Sequence, residues 1–209
     1  MTTMTNGEAI DKALAAVFVE SEALTFGSFK LSGGRTSPYY LDLRVIPSFP
    51  NAFRMVIGAY SSATNRVHGT IDLIGGVPTS GLIFAAALAY SMEKPLIYVR
   101  EKRKTYGKTR EIEGVLKPGA KVILVDDLVT SGASIISAAK AIREEGGIVS
   151  DCIVLIDREE GARRNLLRNK IQMHAISSVT ALATQLYEDG RLDRDKKDDI
   201  LNQTREAEA

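Results

Sequence analysis

Two adjacent carboxylates, Asp126 and Asp127, stand directly before a run of small polar residues that extends from Thr130 to Ser134. Carboxylates repel phosphate groups, but they bind ribose hydroxyls, divalent cations or both. The run that follows offers hydroxyl donors, and a helix N-terminus at that point would add backbone N–H groups and a favourable dipole for an anion. A phosphate beside a sugar diol describes a phosphorylated ribose, which is the ligand that these residues favour. The competing interpretation is an acidic strand end before a well-capped helix.

The sequence on either side of this run predicts the elements that position it. Residues 122–125 are four consecutive apolar residues, three of them β-branched, and they predict a strand that is buried on both faces of a parallel sheet. The residues after Ser134 have the apolar spacing of a helix, with Ile135, Ile136, Ala139 and Ile142 on one face. Open α/β sheets bind ligands at the carboxyl ends of their strands, so the site is expected there. The segment is not a Walker A loop, because no Gly-Lys-Ser/Thr follows the glycine.

Two other segments have the composition of a polyphosphate site. Residues 75–81 form a second small-residue loop between apolar segments at 71–74 and 82–90, and this loop could also present N–H groups to an anion. Two such loops suggest a ligand with phosphate groups at both ends. Residues 100–110 contain six cationic side chains. They predict either a solvated hairpin or a lid that excludes water and offsets the charge of a departing pyrophosphate.

The composition of the chain limits the classes of function. A net charge of +1 gives no general attraction to nucleic acid or to an anionic membrane, so any anion site must be built locally. No apolar run approaches the roughly 18 residues of a membrane span. The single cysteine, Cys152, lies in an apolar run and cannot form an intrachain disulfide, which fits a reducing compartment. The first ten residues lack the basic and apolar blocks of a secretory signal, and the expected location is cytoplasmic.

The order of the apolar patterns predicts an α/β fold. Strands and helices alternate from residue 71 to residue 176, which indicates a parallel sheet of about five strands flanked by helices. Residues 1–45 are expected to form an N-terminal helix and a small hood of two short strands around a Ser-Gly-Gly-Arg turn. Residues 46–190 would form the α/β core. Residues 191–209 would be a charged tail, either as a weakly docked helix or as a frayed end.

Four motifs resemble those of a known family. Residues 122–134 resemble the phosphoribosyl diphosphate (PRPP) signature of type I phosphoribosyltransferases, in which apolar residues precede Asp-Asp-x-x-Thr-x-Gly-x-Ser/Thr. Residues 26–40 resemble the hood of orotate phosphoribosyltransferases, and residues 100–114 resemble their catalytic loop. The pair Asp157-Arg158 resembles the Asp-Arg that the same family carries after the next strand. The four motifs occur in the family's order.

The resemblance implies the type I phosphoribosyltransferase fold and a specific reaction. Orotate and PRPP would give orotidine 5′-monophosphate and pyrophosphate in pyrimidine synthesis, with Mg²⁺ as cofactor. The family forms homodimers in which the basic loop reaches the neighbouring subunit, so a homodimer is expected. No nucleic-acid or membrane partner is expected.

The resemblance also assigns roles to individual residues. The catalytic residues would be Lys104, Arg100 and Asp127. Mg²⁺ would be held mainly by PRPP and approached by Asp127 through water. Orotate would contact Arg158, through paired planar groups, together with Thr130, Tyr39 and Tyr40. The PRPP-binding residues would be Arg100, Lys104, Tyr106, Asp126, Asp127, Leu128, Val129, Thr130, Ser131, Gly132, Ala133 and Ser134.

Two other functions are compatible with the PRPP signature. A phosphoribosyltransferase that acts on a purine base or uracil would share it, but the hood residues and Arg158 favour orotate. A non-catalytic regulator that senses PRPP would also share it. Such a regulator of RNA or DNA would ordinarily show a basic face or an added binding domain, and a net charge of +1 speaks against that.

Overall fold

The computed structural model describes residues 6–30, 36–100 and 111–208. The helices are α1 (Asn6–Glu20), α2 (Pro50–Asn65), α3 (Ser80–Ser91), α4 (Ala133–Glu144), α5 (Ala162–Arg168), α6 (Val179–Glu188) and α7 (Arg194–Glu208), with a 3-10 helix at Leu43–Ser48. The strands are β1 (Leu24–Lys30), β2 (Thr36–Leu41), β3 (Leu73–Gly76), β4 (Leu96–Val99), β5 (Ile112–Glu113), β6 (Lys121–Val129), β7 (Ile148–Asp157) and β8 (Gln172–Ser178). None of the described helices has the length and apolar character needed to span a membrane.

The central sheet has six strands within the described residues, in the order β5–β4–β3–β6–β7–β8. The five strands from β4 to β8 in that order pair in parallel, and the two-residue strand β5 pairs antiparallel with β4. The predicted parallel sheet of about five strands is therefore confirmed, with β5 as an addition. Because β3, β6 and β7 are parallel neighbours, the loops that follow them lie at the same edge of the sheet.

Strand β6 is at the centre of the hydrophobic core. Ile123 and Val125 belong to one apolar cluster with residues of α1, α2, α3 and α6, whereas Val122 and Leu124 belong to a second cluster with residues of α4 and α5. Successive side chains of a strand point to opposite faces, so helices cover both faces of the sheet. Each fully buried aliphatic side chain of this strand stabilises the fold by about 1.5–3 kcal/mol.

Several element boundaries differ from those predicted. Strand β3 begins at Leu73 instead of Ile71, since the carboxylate of Asp72 accepts a hydrogen bond from the backbone N–H of Lys121 at 2.8 Å. Strand β6 continues past the four apolar residues to Val129, because β7 runs beside it to the end. Helix α5 was not predicted, since its seven residues are too few to show a helical apolar period.

The N-terminal hood consists of strands β1 and β2, which pair antiparallel from Leu24 and Leu41 to Lys30 and Thr36. The segment expected to be a charged tail contains α7, which contacts β2. Ile200 of α7 is only 2% exposed and lies in the same apolar cluster as Leu41. The C-terminal segment therefore packs against the hood. The division of the chain into parts at residues 45 and 190 stays a prediction.

Candidate active site

The strand, turn and helix predicted around the two carboxylates are present. Strand β6 ends at Val129, and helix α4 begins at Ala133 after a three-residue turn. Gly132 adopts a left-handed conformation with φ of 81°, and no side chain caps the helix at this position. A Cβ atom at Gly132 would lie 3.0 Å from the side chain of Leu166, so conformation and space both favour glycine. The first N–H groups of α4 are therefore available to an anion.

The turn before α4 exposes hydroxyl groups at the same point. Thr130, Ser131 and Ser134 are all exposed to solvent. The turn is also held from outside, because the side-chain amide of Asn165 on α5 donates to the carbonyl oxygen of Ser131 at 3.0 Å. The hydroxyl groups, the helix N-terminus and the braced turn together present uncharged hydrogen-bond donors of the kind that bind a phosphate.

The two carboxylates are buried next to this turn. Asp126 is 8% exposed and Asp127 is 9% exposed, and the backbone N–H of Asp127 donates to Oδ1 of Asp126 at 3.0 Å. Burial, followed by the charge of Asp127, raises the pKa of Asp126 well above its usual range, and burial also raises the pKa of Asp127. Two adjacent buried acids that are costly to ionise are characteristic of functional sites.

Two helices pack against Asp126. The hydroxyl of Tyr60 on α2, which is fully buried, donates to the backbone carbonyl of Asp126 at 2.7 Å. A Cβ atom at Gly81, near the start of α3, would lie 2.6 Å from Oδ1 of Asp126. The second small-residue loop, in which the Pro78–Thr79 peptide is cis, therefore ends beside Asp126. That this loop binds a second phosphate group stays a prediction.

Arg44 lies in the 3-10 helix that follows the hood, and the sequence did not predict it as a site residue. Its guanidinium pairs with the carboxylate of Asp42 through Nε at 2.7 Å and Nη2 at 2.9 Å. Its positive charge lowers the pKa of Asp127, although burial outweighs this effect. The sequence signal that could have revealed Arg44 is the Asp-x-Arg spacing that begins at Asp42, directly after strand β2.

Tyr39 and Tyr40 point to opposite faces of β2, as the alternation of side chains along a strand requires. Tyr39 is 2% exposed and meets Arg158, whose Nε donates to the Tyr39 hydroxyl at 3.1 Å while its guanidinium carbon lies 5.0 Å from the ring centre. Tyr40 is 41% exposed and lies beside Phe29, with a ring-centre separation of 5.6 Å. The backbone N–H of Arg158 donates to the carbonyl oxygen of Val129 at 3.0 Å, which joins this group to the end of β6.

The predicted pyrophosphate residues are only partly described. Arg100 follows β4, and its Nη1 forms an ion pair with Oε1 of Glu113 on β5 at 2.6 Å. Lys104 and Tyr106 lie outside the described residues. The described part of the chain therefore brings together the predicted phosphate, ribose and base residues, whereas Arg100 is engaged by a neighbouring strand.

Comparison with known proteins agrees with this geometry. Residues 49–192 match the family model of the phosphoribosyl transferase domain. The orotate phosphoribosyltransferase of Cenarchaeum symbiosum is 39% identical over 91% of this chain and 96% of its own length. The orotate phosphoribosyltransferase of Saccharolobus solfataricus is 37% identical over 90% of this chain and 94% of its own length. The chain belongs to the orotate phosphoribosyltransferase family.

Solved structures support the same family assignment. The orotate phosphoribosyltransferase from Aeropyrum pernix has a TM-score of 0.77 and 32% identity, and the match covers 86% of this chain and 99% of that chain. Leishmania donovani UMP synthase has a TM-score of 0.85 and 30% identity over 95% of this chain. The match covers 43% of the UMP synthase, so this chain spans less than half of it. The family resemblance and the fold are confirmed, and the roles of single residues stay predictions.

Proposed function

We propose that this member of the orotate phosphoribosyltransferase family transfers the phosphoribosyl group of PRPP to orotate in pyrimidine synthesis. The products are orotidine 5′-monophosphate and pyrophosphate. The observation that carries the proposal is the meeting of three groups at one sheet edge: an uncapped helix N-terminus, a buried pair of carboxylates, and the buried Arg158. In that order, these groups match a phosphate, a ribose diol and a nucleobase that carries a carboxylate.

The 5′-phosphate binds at the turn between β6 and α4. Residues 130–134 supply hydroxyl and backbone donors, and the helix dipole favours the phosphate charge. Asp126 and Asp127 hold the two ribose hydroxyls. Burial raises the pKa of both acids, and their carboxyl oxygens can accept hydrogen bonds from the ribose hydroxyls. Leu128 and Val129 complete the PRPP-binding stretch as the end of the strand.

Orotate binds between the hood and the loop after β7. Arg158 pairs with the orotate carboxylate, and the hydroxyl of Thr130 lies at the neighbouring strand end. Tyr39, which already stacks against the Arg158 guanidinium, frames the base, and Tyr40 on the opposite face covers the entrance. A base without a carboxylate would leave the buried guanidinium without this partner, which favours orotate over uracil.

The pyrophosphate end is completed by the basic segment and by Mg²⁺. Arg100, Lys104 and Tyr106 contact the pyrophosphate, and Lys104 and Arg100 stabilise its developing charge. Magnesium is generally bound by one or two carboxylates together with substrate phosphates, and Asp127 beside the phosphate turn fits that arrangement through water. The described residues contain no group of three acidic, histidine or cysteine side chains that would hold the ion without PRPP. When bound, Mg²⁺ neutralises charge on the diphosphate.

The reaction requires positioning and charge stabilisation without a protein nucleophile. The bond between ribose C1′ and the pyrophosphate oxygen breaks, and its electron pair leaves with pyrophosphate. N1 of orotate forms the new bond to C1′, and its proton passes to water. Positive charge develops on the ribose while negative charge develops on the leaving group. The acidic pair lies on the ribose side, where it favours the positive charge that develops on the ribose. The cations of the basic segment favour the negative charge that develops on pyrophosphate.

The active form is proposed to be a homodimer in which each basic segment completes the partner's site. Two variants that fail for different reasons, Lys104→Ala and Arg158→Ala, should then regain activity when they are mixed and allowed to exchange subunits. Activity that never exceeds the sum of the two separate variants would contradict the shared site. The enzyme is proposed to be cytoplasmic, supported by the fully buried single cysteine, Cys152.

The activity is tested by the loss of orotate absorbance when the protein is mixed with PRPP and Mg²⁺, with uracil, hypoxanthine and adenine in parallel. We expect consumption of orotate alone. Arg158→Lys should raise the KM for orotate, because lysine keeps the charge but lacks the planar fork, whereas Arg164→Lys on the exposed face of α5 should not. Binding of PRPP without consumption of any base would refute catalysis and favour the PRPP-sensing function.

A further inference from the structure

A buried carboxylate pairs with Arg158, the residue proposed to bind the carboxylate of orotate. Oε1 of Glu160 lies 3.0 Å from Nε of Arg158, and the two side chains are only 8% and 9% exposed. The same Nε also donates to the hydroxyl of Tyr39. Arg158 is therefore held along one edge by Glu160 and Tyr39, and along one face by the ring of Tyr39. This ion pair holds the two side chains in place more firmly than a solvent-exposed ion pair would, because water cannot replace either partner.

A guanidinium group has two sides on which it can receive a planar acid. One side is formed by Nε and Nη2, and the other is the outer end formed by Nη1 and Nη2. Since Glu160 occupies Nε, only the outer end of Arg158 is left for a second carboxylate. Nη2 is buried and has no hydrogen-bond partner in the part of the chain that the structure describes. A buried donor without a partner is costly, and a bound carboxylate relieves that cost.

The loop that carries Glu160 is fixed at both sides. The carboxylate of Asp157 accepts from the backbone N–H of Glu159 at 2.8 Å, and the carboxylate of Glu159 accepts from the backbone N–H of Thr180 at 2.9 Å. Gly161 then turns the chain into α5 with φ of 88°. The position of the Glu160 backbone is therefore set by β7 and α6, and the reach of its side chain decides where its carboxylate lies.

We infer that Glu160 is the positioning residue that turns the outer end of Arg158 toward the carboxylate of the pyrimidine substrate. Glu160 thereby sets the preference for a nucleobase that carries a carboxylate. This inference rests on the proposed function. Glu160 does not touch the substrate. It acts by occupying the inner edge of the guanidinium, so that a planar acid meets a single, preformed orientation of Arg158 instead of several.

Two conservative variants distinguish the effect of the length of the Glu160 side chain from the effect of its charge. Glu160→Asp keeps the charge but withdraws the carboxylate by one methylene, about 1.5 Å, so Nε loses its ion pair and keeps only the hydroxyl of Tyr39. Glu160→Gln keeps an oxygen at the same reach and removes the charge. We expect Glu160→Asp to raise the KM for orotate on the order of 10- to 100-fold, with the KM for PRPP unchanged. We expect Glu160→Gln to keep the KM for orotate near the wild-type value.

The control is Glu145→Asp, the same change at an exposed glutamate after α4. In an Arg158→Ala background, Glu160→Asp should have no further effect on the KM for orotate, because the two residues act as one unit. The inference is overturned if Glu160→Asp leaves the KM for orotate unchanged, raises both KM values alike, or still acts without Arg158. Failure of the wild-type protein to consume orotate would instead refute the proposed function.

Discussion

The contact between Gly81 and Asp126 gives the sharpest test of the site geometry. Gly81 is the second residue of α3, and a Cβ atom there would lie 2.6 Å from Oδ1 of Asp126, 2.8 Å from its Cα and 2.8 Å from the carbonyl oxygen of Val125. Ordinary van der Waals contact begins at 3.4 Å. Two of the three atoms are backbone atoms of β6 and cannot rotate away. In Gly81→Ala, α3 and the end of β6 must therefore move apart.

The matched control is Gly58→Ala on α2, where nothing lies within 4 Å of the added Cβ atom. An exposed glycine inside a helix is replaced by alanine with a gain of about 0.5–1 kcal/mol. The helix gain acts in the same direction at Gly81, but overpacking of a buried contact costs about 1–3 kcal/mol. The two variants should therefore shift stability in opposite directions, by about 2–4 °C in Tm for each kcal/mol in a chain of this size.

The assay combines thermal unfolding with steady-state kinetics. Gly58→Ala should raise Tm and leave kcat and the KM for PRPP unchanged. Gly81→Ala should lower Tm, and the displaced Asp126 should lower kcat/KM for PRPP on the order of 100-fold. Equal Tm shifts in the two variants would show that α3 does not press on Asp126. A destabilised Gly81→Ala variant with normal kinetics would refute the role of Asp126 in holding the ribose.

Three further predictions concern the same sheet edge. Because burial raises the pKa of Asp126, this residue makes the wild-type protein less stable as the pH rises above about 4, and Asp126→Asn should lose less stability over the same range. Denaturant unfolding should show that the stability of this variant relative to the wild type increases from pH 4 to pH 7; a pH-independent difference would contradict this. Tyr60→Phe removes the donor to the Asp126 carbonyl, so denaturant unfolding should show a loss of about 1–3 kcal/mol, and an unchanged midpoint would disprove that bond. Gly132→Ala forces a left-handed alanine at a cost of about 1–2 kcal/mol and presses on Leu166, so calorimetry should show weaker PRPP binding; undiminished affinity would argue against the phosphate site.

The sequence was most informative where local spacing and chemistry coincide. Residues 122–134 determine a strand, a turn and a helix start by their own conformational preferences, and the proposed phosphate site depends on that turn alone. The alternation of Tyr39 and Tyr40, one buried and one exposed, follows from the two-residue period of a strand and needs no tertiary information. The parallel sheet followed from the alternation of apolar patterns.

The contacts that complete the site depend on elements distant in the sequence. Tyr60 lies 66 residues before Asp126, to which it donates a hydrogen bond, and Arg158 lies 119 residues after Tyr39. Nothing in the helical pattern of α2 distinguishes Tyr60 from any other core residue. Nothing in an Arg-Glu-Glu run indicates which carboxylate turns inward, and Glu160 becomes recognisable only when its distance to Nε of Arg158 is known.

The sequence by itself therefore determined the ligand class, the fold class and the order of the binding segments, because each is encoded within a few neighbouring residues. Only the tertiary structure decided which groups are desolvated and which are paired: the buried carboxylates beside Gly81, the ion pair that engages Arg100, and Arg158 held between Tyr39 and Glu160. The physical reason is that burial and pairing depend on what the rest of the chain packs against a residue. That packing is set by the sum of many weak, distant contacts and not by local spacing.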